Sequence, residues 1–249
     1  MALIKSEYRS DLERRLASLS AQLDGLNGEQ ALRKVLQELF QGRSCVVSSF
    51  GAESVVILHM VSSIDPDTPV IFLDTEKLFS ETHEYKRTLA HTLRLTNIIT
   101  LRPSEFDLEA DDPDGNLHKT DTNLCCYIRK TLPLVRALRN YDLWITGRKR
   151  SHGGERTALP QVELQDGKLK LNPLFDWSAA EIRDFVTKNQ LPDHPLLSRG
   201  YPSVGCIPCT QPVERASAGP RVGRWAGQDK TECGIHIGAD GKISRAGGL

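Results

Sequence analysis

The sequence predicts an α/β protein built on a parallel sheet, and three features lead there. Short apolar runs recur at 44–49, 69–73 and 97–101 and read as strands, the first two in the pattern of burial on both faces. Helix-period segments separate them, which implies right-handed crossovers between parallel neighbours. Polar residues stand just past the carboxyl ends of the runs, where open parallel sheets bind ligands.

Residues 5–24 place Tyr8, Leu12, Leu16, Leu19 and Leu23 at helical spacing, and 26–40 repeat the pattern after a Gly25 and Gly28 break. Both read as packing helices, so that 1–42 form an N-terminal helical unit. Ser44-Cys45-Val46-Val47-Ser48-Ser49 is the first strand, followed by the turn Phe50-Gly51-Ala52-Glu53-Ser54 and a helix from Val55. Strand, glycine turn and helix together aim backbone amides at a phosphate. The turn is neither a Walker loop nor a Gly-x-Gly-x-x-Gly fingerprint, and a plain strand-to-helix turn has the same look. Cys45, inside the strand, reads as an inert buried thiol.

The second strand ends in Asp74-Thr75-Glu76 before a helix over about 78–93, and 97–101 supply the third strand. Acidic residues crowd 105–116 without the spacing or closing glutamate of a calcium loop, so this stretch reads as a solvated turn. A helix then carries Cys125 and Cys126, with Arg129, Lys130 and Arg136 for charge. Leu143-Trp144-Ile145-Thr146-Gly147 is a further strand opening into a basic loop, 148–157, suited to an anionic ligand. Residues 162–171 alternate around Asp-Gly, a hairpin signal, and Ser178 with Glu181 forms a capping box. Pro and Gly dominate from Pro192 to Gly205, an irregular loop that presents Cys206 and Cys209. Residues 211–249 read as a mobile C-terminal segment of the same domain as 43–210.

Four of the six cysteines form two pairs, Cys125-Cys126 and Cys206-x-x-Cys209. A disulfide between adjacent cysteines is strained, and zinc pairs ordinarily carry two to four intervening residues. Neighbouring side chains diverge by roughly 100° on a helix, which suits separate irons of a four-cysteine iron–sulfur cluster best. Zinc and plain packing stay open. Cys233, outside both pairs, has Arg224, Lys230 and His236 nearby to favour its thiolate, as a nucleophile requires.

Charges balance at 32 basic against 32 acidic, with 39% hydrophobic residues in 249. No global field is available for nucleic acid or an anionic membrane surface. With no signal-type start and no long apolar stretch, the expectation is a cytoplasmic protein in a reducing compartment.

The sequence resembles the assimilatory sulfonucleotide reductases, specifically the iron–sulfur adenosine 5′-phosphosulfate reductases. The resemblance rests on Ser49-Phe50-Gly51-Ala52-Glu53, Leu73-Asp74-Thr75, Cys125-Cys126 with Ile128-Arg129-Lys130, Trp144-Ile145-Thr146-Gly147, Gly200-Tyr201 to Cys209-Thr210, and Glu232-Cys233-Gly234-Ile235-His236. It implies an adenine nucleotide α-hydrolase-like (PP-loop) fold and a [4Fe-4S] cluster on Cys125, Cys126, Cys206 and Cys209. It further implies a nucleophilic Cys233, a cationic clamp of Lys130, Arg156, Arg221 and Arg224, and substrate contacts at Ser48, Ser49, Gly51 and Gly147. The reaction implied is reduction of adenosine 5′-phosphosulfate to sulfite, with thioredoxin or a glutaredoxin-like dithiol as donor; homo-oligomerisation is left open. The two cysteine pairs separate it from the branch acting on the 3′-phosphorylated substrate. Glu76-Lys77-Leu78-Phe79 departs from the family's usual Gly-Arg-Leu-His. A PP-loop tRNA thiolase and a zinc-stapled binding module are the rival readings.

Overall fold

The apolar run at 44–48 becomes β1 (Ser44–Ser48), buried along its whole length, and the other elements are arranged around it. The computed structural model describes residues 2–213, 221–227, 230, 232 and 235. Before β1 stand α1 (Ala2–Leu23) and α2 (Gly28–Lys34), the latter continued by a π-helical turn over Val35–Leu39. Asn27 and Gln30 form a capping box on α2, satisfying amides that the helix itself leaves open. Gly25, at φ 72°, makes the break. Gly28 instead begins the helix, where a Cβ would meet the Pro173 carbonyl oxygen at 2.1 Å.

After β1 come α3 (Ser54–Ile64), β2 (Val70–Leu73), α4 (Ser80–Thr92) and β3 (Ile98–Leu101). Between β3 and β4 (Leu143–Ile145) lie α5 (Glu105–Asp111), α6 (Leu117–Thr120), α7 (Thr122–Cys126) and α8 (Leu132–Leu138). The hairpin of β5 (Val162–Gln165) and β6 (Lys168–Leu171) and then α9 (Ala179–Lys188) follow. Asp166 and Gly167 both take positive φ, 50° and 73°, as the Asp-Gly hairpin turn demands. The Ser178–Glu181 capping box forms as the sequence predicts.

The sheet order is β3-β2-β1-β4-β6-β5, parallel except for β5 against β6. From β1 the chain builds outward through β2 and β3 and then returns to place β4 on the other side. That reversal opens a crevice beyond the carboxyl ends of β1 and β4. Strand residues alternate between two cores: Val46, Phe72 and Ile145 pack with α2, α3 and α4, while Cys45, Ile71 and Trp144 meet Leu134 and Leu138 of α8. Burial pushes the Cys45 thiol far up, in keeping with an inert packing residue. No helix among the described residues is long and apolar enough to cross a membrane.

The stretch 105–116 corrects the sequence reading. α5 fills its first half, capped by Ser104, and Asp112 is only 5% exposed, binding Arg129 Nη2 at 2.7 Å. A buried guanidinium requires a paired anion, and this acidic turn supplies it. Arg129 is therefore held in a buried ion pair.

Candidate active site

The crevice between β1 and β4 is roofed by loops, and each wall follows from local chemistry. After β1, Ser48 Oγ accepts the Phe50 amide at 3.1 Å, and Phe50 itself sits at φ 49°, a costly conformation for a large side chain. A Cβ on Gly51 would approach the Val204 carbonyl oxygen to 3.3 Å, a tight contact that glycine avoids where this turn packs under the loop leading to Cys206. Residues 51–54 then bring the first turn of α3 to the cleft, where the positive end of the helix dipole favours an anion.

After β4 the basic loop is fixed by ion pairs. Lys149, 2% exposed, donates to the Gly147 carbonyl at 3.1 Å and to Glu53 Oε2 at 2.8 Å. His152 Nε2 lies 2.7 Å from the same Glu53 oxygen, and Arg156 Nη1 lies 2.9 Å from His152 Nδ1. Burial alone would raise the Glu53 carboxyl, but the bond from His152 and the Lys149 charge hold it at about 2. Arg156 also grips Glu232, through Nε to Oε1 and through Nη2 to Oε2 at 2.9 Å, and Arg221 Nη1 donates to Glu232 Oε1 at 3.2 Å. Behind this wall Lys170 is fully buried with Nζ 4.5 Å over the Trp144 ring. Burial and the nearby Arg148 bring its ammonium down to about 7, against the pull of Glu163.

The two cysteine pairs lie near one another, and Cys206 borders the cleft. Cys125 and Cys126 close α7, where the chain passes into a π turn over Tyr127–Thr131 ahead of Pro133; a proline inside the path removes a regular ladder bond. Cys206 bridges to Leu78, and a 3₁₀ turn over Ile207–Cys209 presents Cys209. The Cys125 thiol is raised by burial, with Cys206 close enough to add to the rise and Arg129 opposing it. Lys230 Nζ reaches Cys126 Sγ at 3.4 Å and stands 6.0 Å from the Trp225 ring centre. Trp225 packs on Cys206 and Cys209 in turn.

All four thiols are at most 9% exposed. Among the described residues no three His, Cys, Asp or Glu side chains close on a single-ion site. The surroundings fit a larger, negatively charged sulfur-ligated centre. Thr75 Oγ1 lies 3.2 Å from Cys206 Sγ, and the buried indole N–H of Trp225 finds no hydrogen-bond partner among the described residues. Cationic Lys230, Arg221 and Arg224 all stand over the Trp225 ring. Donors and positive charge of this kind stabilise thiolate-ligated iron.

Ser48, Ser49, Gly51 and Gly147 border the cleft from the sheet side, and Lys130, Arg156, Arg221 and Arg224 border it together with Cys206. Arg221 and Arg224 arrive because residues 221–227 zip onto the cysteine loop, with Trp225 N donating to Cys209 O at 3.1 Å and Gln211 N to Gly223 O at 2.8 Å. Cys233 lies outside the described residues, as do 214–220 and 236–249 of the predicted mobile segment. Its neighbours Glu232 and Ile235 border the cleft, and the Ile235 carbonyl accepts Gln165 Nε2 at 2.8 Å. The sequence reading gave no role to Lys149 and His152, to Thr75 as a sulfur partner, or to Asp112. The spacing of His152 and Arg156, four residues apart in a basic loop, was the one local signal.

Comparison with known proteins agrees with this geometry. A family model described as the phosphoadenosine phosphosulfate reductase domain matches residues 43–212. The adenosine 5′-phosphosulfate reductase of Mesorhizobium japonicum is 43% identical over 235 residues, 93% of this chain and 92% of that protein. That of a Chelativorans species is 47% identical over 197 residues, 79% of this chain and 80% of that protein. Among solved structures, a phosphoadenylyl-sulfate reductase from Candida auris in complex with phosphate superposes with a TM-score of 0.64 at 27% identity, over 77% of this chain and 94% of that one. Yeast FAD synthetase shares the fold alone, with a TM-score of 0.52 at 14% identity over 82% of this chain and 76% of that one.

Proposed function

We propose an activity from one premise: the chain belongs to the phosphoadenosine phosphosulfate reductase domain family. It reduces adenosine 5′-phosphosulfate to sulfite and adenosine monophosphate in assimilatory sulfate reduction, on the way to cysteine; its relatives are named adenosine 5′-phosphosulfate reductases. The observation that carries this reading is a cation-lined cleft at the sheet's switch point that Cys206 borders, with the buried Cys125 near enough to feel its charge. Cys125, Cys126, Cys206 and Cys209 are assigned as ligands of a [4Fe-4S] cluster. When bound, that group supplies a charged, sulfur-rich edge that organises the basic side chains around the cleft.

The steps belong to the chain's own residues. The turn at Ser48, Ser49 and Gly51 and the start of α3 receive the nucleotide's phosphate. Lys130, Arg156, Arg221 and Arg224 offset the charge of sulfate and phosphate. Cys233, as thiolate, attacks the substrate sulfur; the bond from sulfur to the phosphate oxygen breaks, adenosine monophosphate leaves, and an S-sulfocysteine remains. One thiolate of a thioredoxin or glutaredoxin-like dithiol then attacks the Cys233 sulfur and expels sulfite. Its second thiol resolves the mixed disulfide, so the donor leaves oxidised and Cys233 returns as a thiol.

The second reading, a 3′-phosphorylated substrate, is favoured by the structural match to the Candida auris enzyme. Sulfite release measured side by side from the two nucleotides decides it. Turnover of adenosine 5′-phosphosulfate is expected to exceed that of its 3′-phosphorylated analogue by at least about 10²-fold in kcat/KM. The reverse order overturns the assignment. The same preparation is expected to be brown, with matched iron and sulfide; colourless protein carrying one zinc removes the cluster from the account.

A further inference from the structure

We infer that His152 is a positioning residue, holding the Arg156 guanidinium in place for the substrate's anionic group by coupling it to Glu53 at the start of α3. The inference rests on the reading of Arg156 as part of the anion clamp.

A guanidinium carries only donors, so the 2.9 Å contact from Arg156 Nη1 to His152 Nδ1 requires a lone pair on Nδ1. The ring proton then sits on Nε2 and is donated to Glu53 Oε2 at 2.7 Å. The neighbours thus set both the tautomer and the charge of the ring. Glu53 is in turn fixed by Lys149 at 2.8 Å, so Arg156 is tied to the start of the helix that follows the phosphate turn. Its own loop offers little stiffness, since Gly153 and Gly154 both lie at positive φ, 68° and 60°, in a conformation permissive for glycine.

The bond also selects which edge of the guanidinium faces outward. With Nη1 held by His152, Nε and Nη2 form a fork toward the cleft, and the Glu232 carboxylate occupies it with both oxygens. A sulfate or phosphate presents the same two-oxygen face. Glu53, Lys149 and Arg156 are the charged groups that act on His152; burial, with both cations, outweighs Glu53 and keeps the ring neutral below its ordinary value. Protonation would remove the Nδ1 lone pair and release Arg156.

Two substitutions separate the halves of the coupling. His152→Gln keeps a donor for Glu53 and loses the acceptor for Arg156, whereas His152→Asn keeps an acceptor at the Nδ1 position. KM and kcat for adenosine 5′-phosphosulfate are measured for both variants and for Arg156→Ala, across pH, with thermal melts to confirm folding. Gln is expected to raise KM about tenfold with kcat within about twofold, and Asn to recover most of that loss. Wild-type KM is expected to climb as the pH falls below the ordinary histidine range, and the Asn variant's to stay level. Wild-type KM in both His152 variants, or equal losses in both, overturns the positioning role and leaves the clamp standing if Arg156→Ala still raises KM. Wild-type KM in Arg156→Ala overturns the clamp and this inference with it.

Discussion

The floor of the cleft rests on Val46, Phe72 and Ile145, all at 0% exposure, whereas its wall is held by the pairs of Arg156 and Arg221 with Glu232, Lys149 with Glu53 and Arg148 with Glu163. Apolar burial is non-directional and indifferent to pH. Ion pairs need partners in fixed geometry, and an arginine accepts one oxyanion in place of another. A substrate anion can therefore displace the Glu232 carboxylate from the wall, but nothing it carries substitutes for a ring in the core. An arriving anion thus has a carboxylate to displace at the wall and no competitor at the floor.

The largest expected effect comes from the tail that the wall holds. Cys233→Ser is expected to lower sulfite release by at least about 10³-fold while the visible absorption of the purified protein persists. The assay uses reduced thioredoxin and adenosine 5′-phosphosulfate, and full activity removes Cys233 as the nucleophile. Next is the direct contrast between floor and wall. Phe72→Ala is expected to cost about 3–5 kcal/mol of unfolding free energy in urea, with KM of the folded protein within about twofold. Arg221→Ala is expected to raise KM about tenfold while costing less than about 1 kcal/mol of stability. If both substitutions move the same quantity, the division between floor and wall fails.

That division also explains what was legible beforehand. The floor was readable because strand burial writes a continuous apolar run into the chain: the runs at 44–49, 69–73 and 143–147 contain the buried β1, β2 and β4, and that at 97–101 contains β3, a partly exposed edge strand. The hairpin and the Ser178 cap were readable because Asp-Gly and the capping box act over a few residues. The cysteine pairs stood out by spacing alone. Asp112 with Arg129 did not, since a partner 17 residues away leaves no periodic trace, and the six acidic side chains of 105–116 look solvated until Asp107 and Asp112 are found buried. Glu53 with His152, 99 residues apart, is the same case across the sheet. Wall residues are chosen by contacts that the topology makes, so they become visible only after β1 and β4 are placed side by side.

The smallest expected effect concerns acid stability and separates the two regions by slope. The Glu53 carboxyl is held at about 2 in the folded chain against an ordinary 4.5. Its folded value is depressed, so the unfolded chain binds more protons between these limits and stability rises with pH there. The contribution is complete above 4.5 and is lost as the pH falls toward 2. Glu53→Gln is thus expected to flatten the acid limb of the stability curve, the gap from wild type shrinking by on the order of 2 kcal/mol across that window. Phe72→Ala, by contrast, is expected to lower the whole curve without changing its slope, because no proton is bound or released by a phenyl ring. Urea unfolding at a series of pH values reads both. Parallel curves for Glu53→Gln and wild type place the Glu53, Lys149 and His152 cluster outside the forces that hold the wall, and a steeper acid limb in Phe72→Ala makes the floor depend on charge after all.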